Sequence, residues 1–245
     1  MTGAEDGGDH RPVAVVTGAG SGVGRATALA LAKDGYAVVL LGRTVERLRG
    51  VAAEIEAAGG AALPIAADIG VEGDVQTAFG EATRLLGRID ALVCSAGVGL
   101  YGPVEQYSLG DWEATIRTNL TGVFLCSRAV LPIMRTQGRG AIVAIGSGAG
   151  KQGYATLAAY SASKFGLIGF MQSLAAEVGE HGIKVGTILP GSILSGFAGR
   201  SSAEKEAQAG DGRKYLEPAD VAQAVRYLLS QPARAWTQEL NLWPA

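Results

Sequence analysis

Only one of the seven tyrosines in this 245-residue chain has a lysine four positions further on: Tyr160, with Lys164. In a helix that spacing stacks phenol and ammonium on one face. A nearby cation favours the phenolate and lowers a tyrosine pKa from its usual value of about 10. Tyr160 then becomes usable as a general acid or base near neutral pH. Ser147, thirteen residues earlier, follows the apolar run Ala141–Ile145. If that run is a strand of an open α/β sheet, Ser147 lies beyond its carboxyl end, where such sheets bind ligands.

A second constellation stands near the start, Thr17-Gly18-Ala19-Gly20-Ser21-Gly22-Val23-Gly24, between an apolar run and a helical pattern. Glycines here permit a tight turn, close approach of backbone to a pyrophosphate, and contact between helix and strand. The amides and partial positive charge at a helix N-terminus suit phosphate. The turn therefore predicts a bound dinucleotide. NAD-preferring sites place an Asp or Glu some 20 residues on, for the ribose 2′-hydroxyl. Here the corresponding stretch reads Leu41-Gly42-Arg43-Thr44. Arg43 offers a 2′-phosphate a bidentate partner, so NADP(H) is preferred and NAD(H) is the alternative. Arg43 could instead merely decorate a helix entrance. Asp68 is a candidate contact to the adenine amine, or else a local cap.

Positioning these residues requires regular elements. Val13–Thr17, Ala37–Leu41, Ala61–Ala66, Ile89–Cys94, Ala141–Ile145, Lys184–Leu189 and Glu239–Trp243 are short apolar runs, as expected of strands buried on both faces. Helical patterns alternate with them over Gly22–Asp34, Val45–Ala58, Val71–Leu86, Asp111–Thr136, Tyr154–Gly179 and Pro218–Leu229. Ser108-x-x-Asp111 and Pro218 with Asp220 are helix-start signals. The alternation predicts a Rossmann-like, doubly wound α/β sheet of about seven mostly parallel strands, with helices on both faces. Residues 1–11 read as a flexible tail, 12–245 as one domain, and 195–215 as a substrate lid. Between Gln152 and Ala176 the only charge is Lys164. A helix apolar on all sides is buried on all sides. A partner subunit, the substrate and cofactor, or a covering loop would do this; we expect subunit contact as well as ligand.

Composition narrows the rest. Forty-eight per cent hydrophobic residues exclude a disordered chain, and a net charge of −2 gives no case for nucleic acid or an anionic membrane. No uncharged apolar run reaches the ~18–20 residues of a membrane span. Cys94 and Cys126 form no disulfide framework, and the acidic N-terminus does not resemble a secretory signal, which together predict a cytoplasmic protein. His10 and His181 belong to no cluster with metal-ligand spacing, and Ile145-Gly-Ser-Gly148 is not a hydrolase elbow.

In combination these motifs resemble the short-chain dehydrogenase/reductase family, over Val13 to about Leu242, in its single-domain members. The resemblance implies that Tyr160 is the catalytic acid/base, and that Lys164 tunes it while binding the nicotinamide ribose. It implies that Ser147 hydrogen-bonds the substrate oxygen, and that Asn119, in Arg117-Thr-Asn-Leu-Thr-Gly122, interrupts a helix and holds a water in a proton relay. Asp68, Ile69, Ser95, Ala96 and Gly97 join the glycine turn in the implied cofactor site. Pro190-Gly191, Ile193 and Ser195 would stand beside the nicotinamide.

Three departures are visible. Cys94-Ser95-Ala96-Gly97 replaces the usual Asn-Asn-Ala-Gly, Ser195 stands where a threonine is common, and the terminus reads Leu240-Asn-Leu-Trp-Pro-Ala245 rather than ending in Asp-Gly-Gly. The expected activity is NADP(H)-dependent hydride transfer with a ketone, ketoacyl compound or secondary alcohol. Alternatives are an NAD-dependent sugar or polyol dehydrogenase and a catalytically silent dinucleotide-binding regulator. The 111–136 and 154–179 helices are expected to mediate a homodimer or homotetramer. Val98–Pro103 would wall the substrate pocket, and Phe197 and Tyr215 could add apolar contacts or simply pack.

Overall fold

A computed structural model describes residues 11–199 and 214–245. Seven strands form one sheet: β1 (Val13–Thr17), β2 (Ala37–Gly42), β3 (Ala61–Ala66), β4 (Ala91–Cys94), β5 (Gly140–Ile145), β6 (Ile183–Pro190) and β7 (Glu239–Leu242). Their order is β3-β2-β1-β4-β5-β6-β7, and every pairing is parallel, where the sequence promised only mostly parallel strands. The chain winds outward first to one side of β1 and then to the other. The reversal falls between β1 and β4, which is where ligands bind in such sheets.

Alternate strand residues feed opposite cores, as the two-residue period of a strand requires. Val13, Val15, Val39, Leu41, Leu92 and Ile142 share one core with α3 (Glu72–Leu86), α5 (Gly122–Gln137) and α6 (Ala158–Val178). Ala14, Val16, Val38, Leu40, Val93 and Val143 share the other with α1 (Gly22–Lys33), α2 (Val45–Ala57) and α7 (Pro218–Leu229). The helix-start signals act as anticipated. Ser108 accepts the Asp111 amide at 3.0 Å ahead of α4 (Leu109–Ile116), and Glu217 and Asp220 cap α7 reciprocally around Pro218.

Two helices differ from expectation. The stretch read as one helix over Asp111–Thr136 is α4, a π turn at Arg117–Thr121, and α5. Within the turn the Gly122 amide reaches back to the Arg117 carbonyl, a five-residue step that periodicity of side chains does not reveal. The helix expected from Tyr154 begins at Ala158, because Thr156 has a left-handed backbone, with φ of 67°. The strand expected from Ile89 starts at Ala91. The proposed tail, except Arg11, and residues 200–213 of the proposed lid lie outside the described residues. Among the described residues, no helix is long and apolar enough to cross a membrane, and no cluster of potential ligands could hold a metal.

Candidate active site

The glycine turn joins β1 to α1, as expected, at the point where the sheet reverses. Because Thr17 pairs in register with Cys94, the loops leaving β1 and β4 emerge side by side. Thr17 is fully buried, and its Oγ1 accepts the amides of Ser95 and Ala96, each at 3.1 Å. Its hydroxyl therefore ties the two loops together.

Gly18 has φ of +67°, and a Cβ there would lie 2.8 Å from the Ala96 Cα. A Cβ on Gly24 would lie 2.2 Å from the Gly18 carbonyl oxygen. Both positions exclude any larger residue. No side chain caps α1 at Ser21, and its first turn, with Val23, holds no acid. The positive helix end thus meets neither a competing acceptor nor a repelling charge, and these residues fit a dinucleotide phosphate. Gly20 approaches Arg47 so closely that an added Cβ would stand 3.0 Å from the Arg47 Cβ. Exposed Arg47 therefore borders the turn, whereas spacing alone points only to Arg43, which is also exposed.

Asp68 accepts the Gly70 amide at 2.9 Å, so its carboxylate does serve as the local cap weighed above. Ile69 is buried with its side chain against Gly122 at the head of α5, where a Cβ would lie 2.7 Å away. Across the cleft, β6 ends at Pro190, and the Gly191 amide donates to the Leu242 carbonyl at 2.8 Å. Ile193 forms a bridge with Leu216, and Ser195 is buried facing Gly22.

The four residues expected to do chemistry come together. Tyr160 and Lys164 lie on α6, 8% and 5% exposed. Ser147, two residues beyond β5, stands beside Tyr160 and accepts the Ala149 amide at 3.1 Å. Lys164 donates from Nζ to the Ile145 carbonyl at 2.8 Å and stands 5.6 Å from the centre of the Tyr160 ring. Asn119 sits in the π turn, buried. Its Oδ1 accepts the Val98 amide at 2.8 Å, and its Nδ2 donates to the Val98 carbonyl at 2.9 Å and to Ser163 Oγ at 3.1 Å. Ser163 carries no signal in the sequence; its role appears only because α6 crosses the π turn.

Electrostatics correct one expectation. Burial and neighbouring Tyr101 push the Tyr160 phenol above its usual pKa, and Ser147 is what pulls it down. The sequence assigns that pull to Lys164. Burial instead brings Lys164 itself down to about 8, partly offset by Cys94. Tyr101 packs edge-on against Tyr160, with ring centres 5.8 Å apart at 77°, and Phe197 packs from another side at 5.8 Å and 59°. By sequence, pocket wall and plain packing weigh equally for both.

C-terminal Trp243 is a further residue that the motifs do not single out. Cβ atoms on Gly148 and Gly191 would each come within 2.8 Å of its ring, so it spans the loop beside Ser147 and the turn after β6. Lys151 pairs with Glu239 of β7 at 2.6 Å and reinforces the same junction.

Fold and site together define an NAD(P)-binding α/β oxidoreductase. The family described as short chain dehydrogenase matches residues 12–206, and the chain belongs to that family. A 3-oxoacyl-[acyl-carrier-protein] reductase of Synechocystis sp. is 39% identical over 225 residues, covering 91% of each chain. A metagenomic short-chain oxidoreductase solved in complex with NADP superposes with a TM-score of 0.84 at 37% identity, covering 96% of this chain and 97% of that one. A single-substitution variant of the actinorhodin polyketide ketoreductase, solved with NADPH, gives 0.87 at 34% identity, with 96% of each covered. The protein is thus a reductase or dehydrogenase acting between CH–OH and C=O groups.

Proposed function

We propose that this protein is an NADP(H)-dependent reductase of ketone or ketoacyl substrates, with Tyr160 as general acid/base. One observation carries the reading: Tyr160, beside Ser147 and sharing a helical face with Lys164, is buried at the sheet end where the glycine turn opens. Ser147 orients the substrate oxygen and stabilises the charge that develops there. Tyr160 gives that oxygen a proton in reduction and takes it in oxidation. The nicotinamide supplies or accepts the hydride. Lys164 holds the nicotinamide ribose. The side chain of Asn119 is spent on Val98 and Ser163, so its proton-relay water would be held by the main chain of the π turn.

The cofactor preference rests on Arg43 with Arg47 beside the turn, the absence of an acid at the end of β2, and the NADP and NADPH bound to similar structures. Gly18, Gly20, Ser21, Gly22, Val23 and Gly24 hold the pyrophosphate; Asp68 and Ile69 border the adenine; Ser95, Ala96, Gly97, Pro190, Gly191, Ile193 and Ser195 line the nicotinamide side. Residues 12–245 act as one catalytic domain, with 195–215 as its lid. Exposed Phe124 on α5 and Phe165 on α6 support self-association through these helices. Two free buried cysteines suit a reducing compartment, the cytoplasm.

A panel of carbonyls and alcohols, followed at the NADPH absorbance in both directions, tests the activity. Turnover of ketones with NADPH is expected, with at least tenfold lower kcat/KM for NADH, and Arg43→Glu should reverse that preference. A strong NADH preference overturns the cofactor assignment. Tight NADPH binding without turnover of any carbonyl marks a dinucleotide sensor instead.

A further inference from the structure

The phenol of Tyr160 must touch the reacting carbonyl, yet Tyr160 is 8% exposed, and aromatic rings do much of the covering. Tyr101 arrives from the loop after β4, and Phe197 from the segment after β6. The two meet again over Gly99. A Cβ there would lie 2.7 Å from Phe197 Cε1, 2.9 Å from the Tyr101 hydroxyl and 3.0 Å from Ala198 Cβ. Gly97, two residues earlier, would meet Phe197 Cε2 at 3.7 Å. Two rings and a strip of glycine backbone thus enclose the approach to Tyr160.

We propose that Tyr101 and Phe197 are specificity residues, and that they select ketones bearing a flat apolar group, aryl or alicyclic, beside the carbonyl. The inference rests on the reductase reading above and narrows its substrate class. A substrate reaching Tyr160 replaces ring contacts that the free site makes with itself. A flat apolar group restores edge and face contacts of the same kind. A polyhydroxylated ketone instead buries hydroxyls against ring carbons and loses their water. Gly99 belongs to the device, because any side chain there drives Phe197 off its seat.

The test compares kcat/KM with NADPH for acetophenone and cyclohexanone against 2-octanone and xylulose. Wild-type enzyme is expected to favour the two cyclic ketones over xylulose by at least tenfold, and over 2-octanone by several-fold. Phe197→Ala, Tyr101→Ala and Gly99→Val should each cut the cyclic-to-xylulose ratio at least fivefold, while Tyr101→Phe, which keeps the ring, retains it. Fluorescence titration with NADPH checks each variant; if Phe197→Ala binds cofactor poorly, Phe197→Leu carries the same comparison. Ketone reduction with xylulose or 2-octanone matching the cyclic ketones, or with ratios indifferent to the ring variants, overturns this inference and leaves the reductase intact. No turnover of any carbonyl overturns both.

Discussion

The Lys164 ammonium donates to the Ile145 carbonyl at 2.8 Å, and so fastens the middle of α6 to the last residue of β5. Ser147 follows two residues later. One hydrogen bond thereby fixes the distance between the strand that delivers Ser147 and the helix that delivers Tyr160. Because the lysine is buried, that fastening costs stability while the amine is charged.

A pH dependence follows. The Lys164 pKa falls from 10.5 to about 8 on folding, so between these values the unfolded chain binds more protons than the native protein. Stability from this group therefore rises with pH from about 8 to 10.5, by up to about 3 kcal/mol. Burial raises Cys94 and Cys126, which act in the opposite direction at high pH, so the measurement is a difference. The gap between the denaturation midpoints of Lys164→Met and wild type should shift in favour of wild type as pH rises from 8 to 10. A constant gap would show that the lysine is already neutral or still well solvated.

Removing the phenolic oxygen tests the assigned chemistry. Tyr160→Phe keeps the ring contacts with Tyr101 and Phe197 and deletes only the proton donor. Turnover should fall by about 10²–10⁴-fold, with NADPH affinity within a few-fold of wild type. Unchanged turnover would remove Tyr160 from the chemistry.

Two glycines should respond oppositely to alanine. Gly24 has no room, since its Cβ would collide with the Gly18 carbonyl, and Gly24→Ala should abolish detectable NADPH binding. Gly80 lies exposed in α3 with nothing within 4 Å of an added Cβ. Gly80→Ala should raise the melting temperature by roughly 2–4 °C, the return of about 1 kcal/mol of helix propensity. Calorimetry and cofactor titration read both.

The outer face of α6, uncharged from Ala158 to Ala176, offers a further test. Phe165 is 48% exposed there, and Phe165→Glu should reduce the assembly to a smaller species in light scattering behind size exclusion. An unchanged mass would locate the subunit contact elsewhere.

Much of this was legible because it is local. β1, β3 and α7 begin and end where composition and capping residues put them, and Tyr160 with Lys164 is a one-turn spacing that any helix realises. The unread features are products of crossing elements. Ser163 matters because α6 passes the π turn, Arg47 because α2 abuts the glycine turn, and Trp243 because β7 lies beside two loops distant in sequence. The Tyr160 phenol is shifted up rather than down for a related reason. Spacing reports that two groups are neighbours, but not that burial lowers the lysine and lifts the phenol.

The bridge between Ile193 and Leu216 has a consequence for loop length. Leu194 donates to Leu216 at 2.7 Å, and Leu216 to Ser192 at 2.8 Å, so the entry and exit of the intervening segment are stitched together. Changing the length of a loop with closed ends alters its entropy only slowly, about 0.6 kcal/mol per doubling. A change of chain length between these joined ends should therefore leave the sheet, and the strands that deliver the site, undisturbed.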